Sequence, residues 1–439
     1  MGIKHFFTWF RNKYPEAFLE KAPTDIDHLM IDMNGIIHEA AQFIYKYGQY
    51  QHVSRLRFTT TPRNLPPVDR LYEEIKKRVN IIIQDANPKK SVFLAIDGVA
   101  PQSKQNQQRQ RRFRTTIAEN KYGDEMFDSN NITAGTIFMK NLSEDLSILD
   151  WVKTKKYVEM STDSSPGEGE HKLIDKIRKT SKINDVFCIV GLDADLIMLC
   201  LLLNKPNIYV MREFNYIKKI NLPIPAQDFL VLSCFMGNDF LPQIPSLEIR
   251  EEGFELLLSH YNQPLVKNGK IIVSAISKLL SHVTEFEQNI MINRGNDKTR
   301  FVDELWEGNI DKYRQKYHEI KLEHKSAKSI IYSFFKGIQW VVTYYTIGIP
   351  SWTWYYPYHY TLHTNFFTKF APYNVTMFRF QYGQPSTSHE QLLRVMPPKS
   401  KNLIPKSLHE KLDELPTTFK IDKAGKRQEW EAIIIVDFI

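Results

Sequence analysis

The chain has 439 residues, 42% hydrophobic and 25% charged. That composition fits a folded protein with a sizeable core and excludes disordered and fibrous classes. The net charge of +8 tolerates a polyanionic partner without requiring one. No apolar run is long enough to cross a bilayer, so a membrane role is not expected.

The N-terminus, Met1-Gly2-Ile3-Lys4-His5-Phe6, has no signal-peptide h-region. Phe6 stands where a myristoylation motif wants Ser or Thr. Cys188, Cys200 and Cys234 each lie in an apolar run without CxxC spacing and read as reduced thiols. A soluble, monomeric, intracellular protein is expected, with the cytoplasm favoured over the nucleus.

The first predicted strand is His28–Asp32, an apolar run that ends in aspartate. Residues 50–68 are Thr/Pro-rich and are expected to form a loop. A second strand, 91–97, ends at Asp97, and a third, 186–193, runs into Asp193 and Asp195. Continuous apolar runs of this kind suit parallel strands buried on both faces. A fourth strand is predicted at 207–211. Helices are predicted at Thr136–Leu149, His171–Lys179 and Ala226–Met236, the last stopped by Gly237. Residues 1–245 therefore read as an α/β domain. Residues 246–439 read as a second region, helical at 246–345 and aromatic-rich and extended at 346–439. Ile310–Lys328 is expected to be one solvated helix, and the apolar ending at 432–439 a final strand.

In open α/β sheets, ligands bind beyond the carboxyl ends of the strands. Asp32, Asp97, Asp193 and Asp195 would meet there. The loop Ser165-Pro166-Gly167-Glu168-Gly169-Glu170-His171 adds Glu168 and Glu170, two residues apart, and Gly237-Asn238-Asp239 adds Asp239. Any one of these could be a helix cap or a solvated turn. Seven together would repel one another unless a cation neutralised them. Hard oxygen ligands without a Cys/His cluster suggest Mg²⁺, or Mn²⁺, rather than zinc. Two such ions would serve phosphodiester hydrolysis.

Lys104 to Arg114 is a basic helical run. Lys104, Gln108, Arg111 and Arg112 share one face, a donor set suited to a terminal phosphate. Arg109 and Arg114 fall off that face and are expected to be solvated or to make general backbone contacts. Pro350–Tyr360 concentrates aromatics; most should be core, with one or two free to stack on unpaired bases. Trp352 and Trp354 are both candidates, and His38 is a possible second stacking plate.

The blocks Asp32-Met33-Asn34, Ile96-Asp97-Gly98-Val99-Ala100-Pro101, Asn106-Gln107-Gln108-Arg109, Pro166-Gly167-Glu168-Gly169-Glu170-His171-Lys172, Gly191-Leu192-Asp193-Ala194-Asp195 and Gly237-Asn238-Asp239-Phe240-Leu241-Pro242 resemble the XRN family of 5′→3′ exoribonucleases. Pro350-Ser351-Trp352, Tyr356-Pro357-Tyr358-His359-Tyr360 and Glu390-Gln391-Leu392 continue the match through the second half. The resemblance implies an α/β fold with a mostly parallel sheet flanked by helices (a PIN/flap-endonuclease-like nuclease core) and a second, α+β, aromatic-rich region packed on it. It implies a processive enzyme that degrades single-stranded RNA bearing a 5′-monophosphate to mononucleotides. Asp32, Asp97, Glu168, Glu170, Asp193, Asp195 and Asp239 would hold Mg²⁺. Lys104, Gln108, Arg111 and Arg112 would bind the 5′-phosphate, and His38 with Trp352 or Trp354 would sandwich bases. Three departures stand out. Lys4 replaces the usual proline, the spacings Arg114–Pro166 and Asp195–Asp239 are short, and the sequence stops where the two core regions end. A flap-type DNA nuclease and a catalytically dead RNA-binding protein are the alternatives.

Overall fold

The computed structural model of the protein describes residues 2–50, 66–119, 127–148, 157–180, 182–213, 215–372, 377–416 and 418–438. The loop expected at 50–68 falls largely outside them.

The apolar runs become strands. β1 (Phe18–Leu19), β2 (His28–Asp32), β3 (Ser91–Ala95), β4 (Val158–Ser161), β5 (Phe187–Val190), β6 (Ile208–Arg212) and β7 (Asn215–Lys218) form one seven-stranded sheet. Its order is β1-β7-β6-β5-β2-β3-β4. The strands from β6 to β4 pair in parallel, while β7 and β1 add an antiparallel edge. Strands with both faces covered bury alternate side chains in two separate cores. Leu29 and Ile31 of β2 and Val92 and Leu94 of β3 enter one core; Met30 and Phe93 enter the other. The chain passes from β2 outward to β3 and β4, then returns to the other side of β2 as β5 and β6. The direction of winding thus switches between β2 and β5, where a crevice opens at the carboxyl ends of the strands.

Helix α1 spans Phe6–Lys13 and α2 spans Met33–Tyr45, starting directly from β2. Helix α3 covers Pro67–Ala86. The basic helix α4, Gln102–Glu119, follows β3 after a short extended turn. Helices Gly169–Lys179 and Asp195–Leu202 begin at the loops that carry the remaining acids. Helix Ala226–Phe235 ends before Gly237, whose φ of 80° is the left-handed geometry that glycine adopts without strain.

The second region is built on helices Val273–Asn296, Ile310–Lys321 and Ala327–Thr346. Its core is continuous with that of the first: Phe6 meets Phe254 with ring centroids 6.3 Å apart. The single helix expected over 310–328 is two. It stops at Lys321, Glu323 and His324 turn left-handed, and Ser326 caps the next helix by accepting from the Ser329 N–H. The expected last strand is Ile433–Val436, paired antiparallel with Phe419–Asp422. Among the described residues, no helix is long and apolar enough to cross a membrane.

Arg109 and Arg114 differ from the expectation for them. Arg109 is only 2% exposed, and its guanidinium donates to the carbonyls of Asp437 (3.1 Å), Arg394 (2.9 Å) and Pro416 (2.8 Å). Arg114 donates to the carbonyls of Trp430 and Ala432. Both side chains fasten the C-terminal segment onto α4.

Candidate active site

Each strand end delivers its acid to the crevice. Asp32 closes β2 and caps α2, accepting from the Asn34 N–H at 3.2 Å. Asn34 also holds Asp97: its side-chain amide donates to Asp97 Oδ2 at 2.8 Å, and its Oδ1 accepts from the Asp97 N–H at 3.0 Å. The Glu168 loop is tied to the Asp97 loop by paired backbone bonds, Gly98 N–H to Gly167 O and Gly167 N–H to Val99 O. Gly169 N–H donates to Asp97 Oδ1 at 2.5 Å. A Cβ on Gly169 would lie 3.0 Å from Asp32 Oδ1 and 3.1 Å from Asp97 Oδ1, so a larger residue here would crowd both acids. Gly2 stands against another pair. Its N–H donates to Asp239 Oδ1, and a Cβ there would overlap Asp195 Oδ1.

A cleft of about 320 Å³ is lined by Asp32, Asp97, Glu168, Glu170, Asp193 and Asp239. Asp195 is buried beside them against Gly2. The carboxylates act on one another. Burial, then the charges of Asp97 and Asp193, push the Asp32 carboxyl well above its usual range. Glu170 is raised likewise, first by burial and then by Asp195 and Glu168, despite Lys104. Burial followed by Asp239 brings Asp195 up to about 7. Among the described residues, Glu170 Oε2 is buried with no hydrogen-bond partner. Among the described residues, the ammonium of Lys104 is paired with the group: Nζ lies 2.5 Å from Glu168 Oε2 and 2.8 Å from Asp239 Oδ2. These two carboxylates hold its pKa well above normal against the effect of burial. An orphaned carboxylate oxygen, several raised pKa values and an oxygen-only donor set fit a hard divalent cation. Glu168, Glu170 and His171 also offer ligand atoms within 4.8 Å of one another.

Gln108, Arg111 and Arg112 line the wall of the same cleft beside Lys104, and His38 faces them from α2. Arg112 is anchored on Asn130 Oδ1 at 3.2 Å, and Asn130 donates in turn to Ser400 Oγ. The C-terminal region thus positions one phosphate-pocket candidate. Burial, then Arg111 and Arg112, lower the His38 pKa to about 3, which leaves a neutral ring. Trp352 and Trp354 are not among the residues lining this cleft. Trp352 is buried, and its carbonyl accepts from the Gln102 N–H. Trp354 stacks on Trp340 at 5.5 Å.

Three contributors carried no role in the sequence reading. Asn34 orients Asp97. Gln391 lines the cleft and accepts from the Ala100 N–H at 2.8 Å. Tyr344 donates its hydroxyl to Glu168 Oε1 at 2.7 Å and stacks on His171 at 3.7 Å. Asn34 and Gln391 sit inside the blocks quoted above, but nothing in their local pattern marks a partner so distant in sequence.

Fold and site define an α/β protein with a carboxylate cluster at the switch point of a parallel sheet and a cationic helix beside it. The chain belongs to the XRN family. The model described as XRN 5′-3′ exonuclease N-terminus matches residues 1–214, and that described as Xrn1 helical domain matches 221–312 and 293–439. The chain is 26% identical to 5′-3′ exoribonuclease 1 of Homo sapiens over 100% of its own length and 33% of the relative's. It is 25% identical to that of Schizosaccharomyces pombe over 100% of its length and 48% of the relative's. It therefore spans a third to a half of these relatives. Among solved structures, the catalytic core of Rad2 in complex with DNA substrate aligns over 92% of this chain and 97% of the other. The identity is 13% and the TM-score 0.37, too weak a likeness to build on.

Proposed function

We propose that the protein is a 5′→3′ exoribonuclease that hydrolyses single-stranded RNA carrying a 5′-monophosphate and releases mononucleotides processively. The observation that supports this most is one cleft lined both by six carboxylates and by Gln108, Arg111 and Arg112. Asp32, Asp97, Glu168, Glu170, Asp193, Asp195 and Asp239 would hold two Mg²⁺ or Mn²⁺ ions. Bound there, such ions lower the pKa of a water and offset the charge that develops at the phosphorus. The chain's own residues do the rest. Gln108, Arg111 and Arg112 grip the terminal phosphate and set how far the strand advances, so that one nucleotide is cut at a time. A pocket sized for a monophosphate would exclude a capped or triphosphate end. The neutral His38 ring offers a flat face to a base; Trp352, buried, and Trp354, stacked on Trp340, do not line this cleft and are not its second plate.

The test compares end-labelled RNAs that differ only in their 5′ group, with Mg²⁺ or with EDTA, beside a flapped DNA duplex. Mononucleotides should appear only from monophosphate RNA and only with the metal. Preferential cutting of the flap, or tight RNA binding without turnover, would replace the proposal by one of its rivals.

A further inference from the structure

Helix α4 separates two chambers. Lys104, Gln108 and Arg112 line the acid cleft, whereas Ser103, Gln107, Gln110 and Arg114, spaced three or four residues apart, line a second cavity of about 750 Å³. That volume is within the ~300–1,000 Å³ of small-molecule sites. The chambers meet at Arg111, Asp193 and Asp239, which border both.

The lining of the second cavity has its own chemistry. Arg111, Arg114, Arg212 and Lys426 bring positive charge, with Asp193 and Asp239 only at the shared boundary. Arg114 spends its hydrogen bonds on backbone carbonyls, so its charge is not cancelled. The half-buried rings of Tyr355 and Tyr358 form part of the wall, and Trp430, 48% exposed, marks an open side. Asn106, 8% exposed, also lines it, and among the described residues its Nδ2 is buried with no hydrogen-bond partner. Cations, aromatic faces and a free amide donor together suit a ligand with a dianionic phosphate and a planar base.

We infer that this cavity is the release chamber for the nucleoside 5′-monophosphate product. The inference rests on the exoribonuclease reading. A processive enzyme keeps the shortened strand in the entry cleft, so a product that left by that route would first have to displace the strand. A phosphate held by Arg111 can instead turn about the edge of α4 towards Arg114, one helical turn further on. The base then meets the aromatic wall.

The probe is adenosine 5′-monophosphate, with adenosine and inorganic phosphate as controls, titrated calorimetrically into the full chain. Gln110, half-buried on the chamber side of α4, is the position to alter. Gln110→Glu sets a negative charge against the phosphate, and Gln110→Trp fills the passage. Both should weaken binding of the nucleotide by about tenfold or more. In Gln110→Trp, the ratio of steady-state nucleotide release to first-bond cleavage in a single turnover should fall by a similar factor. Unchanged affinity in both variants, adenosine binding as tightly as its monophosphate, or turnover falling only in step with first-bond cleavage would overturn the inference and leave the enzyme reading intact. If the unaltered chain yields no nucleotide from monophosphate RNA, the enzyme reading fails and the chamber falls with it.

Discussion

Buried carboxylates occur in two regions of this protein, and most of those at the sheet rim differ from those in the second region. At the rim, Asp32, Glu170 and Asp195 are pushed above their ordinary values, while Asp193 and Asp239, nearest the positive charges, are held below theirs despite burial. In the second region, Glu287 is fully buried yet held far below its own. Burial raises the pKa in both places; the difference is the company. Glu287 has His363 Nδ1 at 3.4 Å and accepts from the Ser246 hydroxyl at 2.6 Å, the Arg314 guanidinium at 3.0 Å and the Thr364 N–H at 3.1 Å. Glu248 has Arg294 and Arg300 in the same way. At the rim, among the described residues, Lys104 is the one ammonium paired with the carboxylates, holding Glu168 and Asp239 and leaving Glu170 without a cation in contact. A structural acid comes with its own cation, whereas the rim leaves a deficit of positive charge for a ligand to fill.

The comparison predicts changes of opposite sign, and the largest is at the rim. Glu170→Gln should cut RNA hydrolysis by at least ~10³-fold, about 4 kcal/mol of barrier. It should also raise the melting temperature of the EDTA-treated protein, because a repelling charge is gone. A metal-free variant less stable than the parent would break the contrast. Next, Arg314→Ala should destabilise the fold by about 3–5 kcal/mol, because Glu287 is left charged and buried without the guanidinium that pairs with it. Urea unfolding measures this, and a loss below 1 kcal/mol would show that Glu287 is satisfied without its cation.

The pH dependence of stability sharpens the same point. A carboxyl raised in the folded state binds its proton more readily folded than unfolded, so stability falls as pH rises through that interval. With Asp195 near 7 in the folded state and about 3.9 unfolded, the metal-free protein should lose stability as pH rises from about 4 to about 7. Mg²⁺ should abolish that slope. Glu248 and Glu287 work the other way: their lowered pKa values give stability above the unfolded carboxyl range that is lost on acidification. Thermal melts across pH with and without Mg²⁺ separate the two, and identical slopes in both series would contradict the rim assignment.

Much of the rim was legible in the sequence because its signals are local. An apolar run ending in aspartate states both the strand and the direction of its last side chain, as at Asp32, and the glycines of the Glu168 loop announce a close approach. What escaped is set by partners far along the chain. Nothing near Arg109 shows that its guanidinium will meet carbonyls from residues 394, 416 and 437. Lys104 has helical spacing with the phosphate-pocket candidates, yet its ammonium reaches across to Glu168 and Asp239. The break at Glu323 and His324 was hidden because charged residues there continue a solvated helical pattern, while the turn depends on backbone geometry. The antiparallel edge strand Phe18–Leu19 is two residues long, too short to show an alternation.

Tyr344→Phe makes the smallest change and tests whether the second region tunes the rim. The Tyr344 hydroxyl donates to Glu168 Oε1 and favours its ionised form, while burial, the largest influence, raises its pKa. Removing the hydroxyl leaves the ring and its stacking on His171, so packing is conserved and the loss is about 1 kcal/mol. Glu168 then holds its proton to higher pH. If ionised Glu168 is needed for catalysis, the acidic limb of the pH–rate profile should move upward while the rate at high pH recovers. A uniform fall in rate at all pH values would mean that Tyr344 only supports the fold, and the reach of the second region into the acid cluster would end at packing.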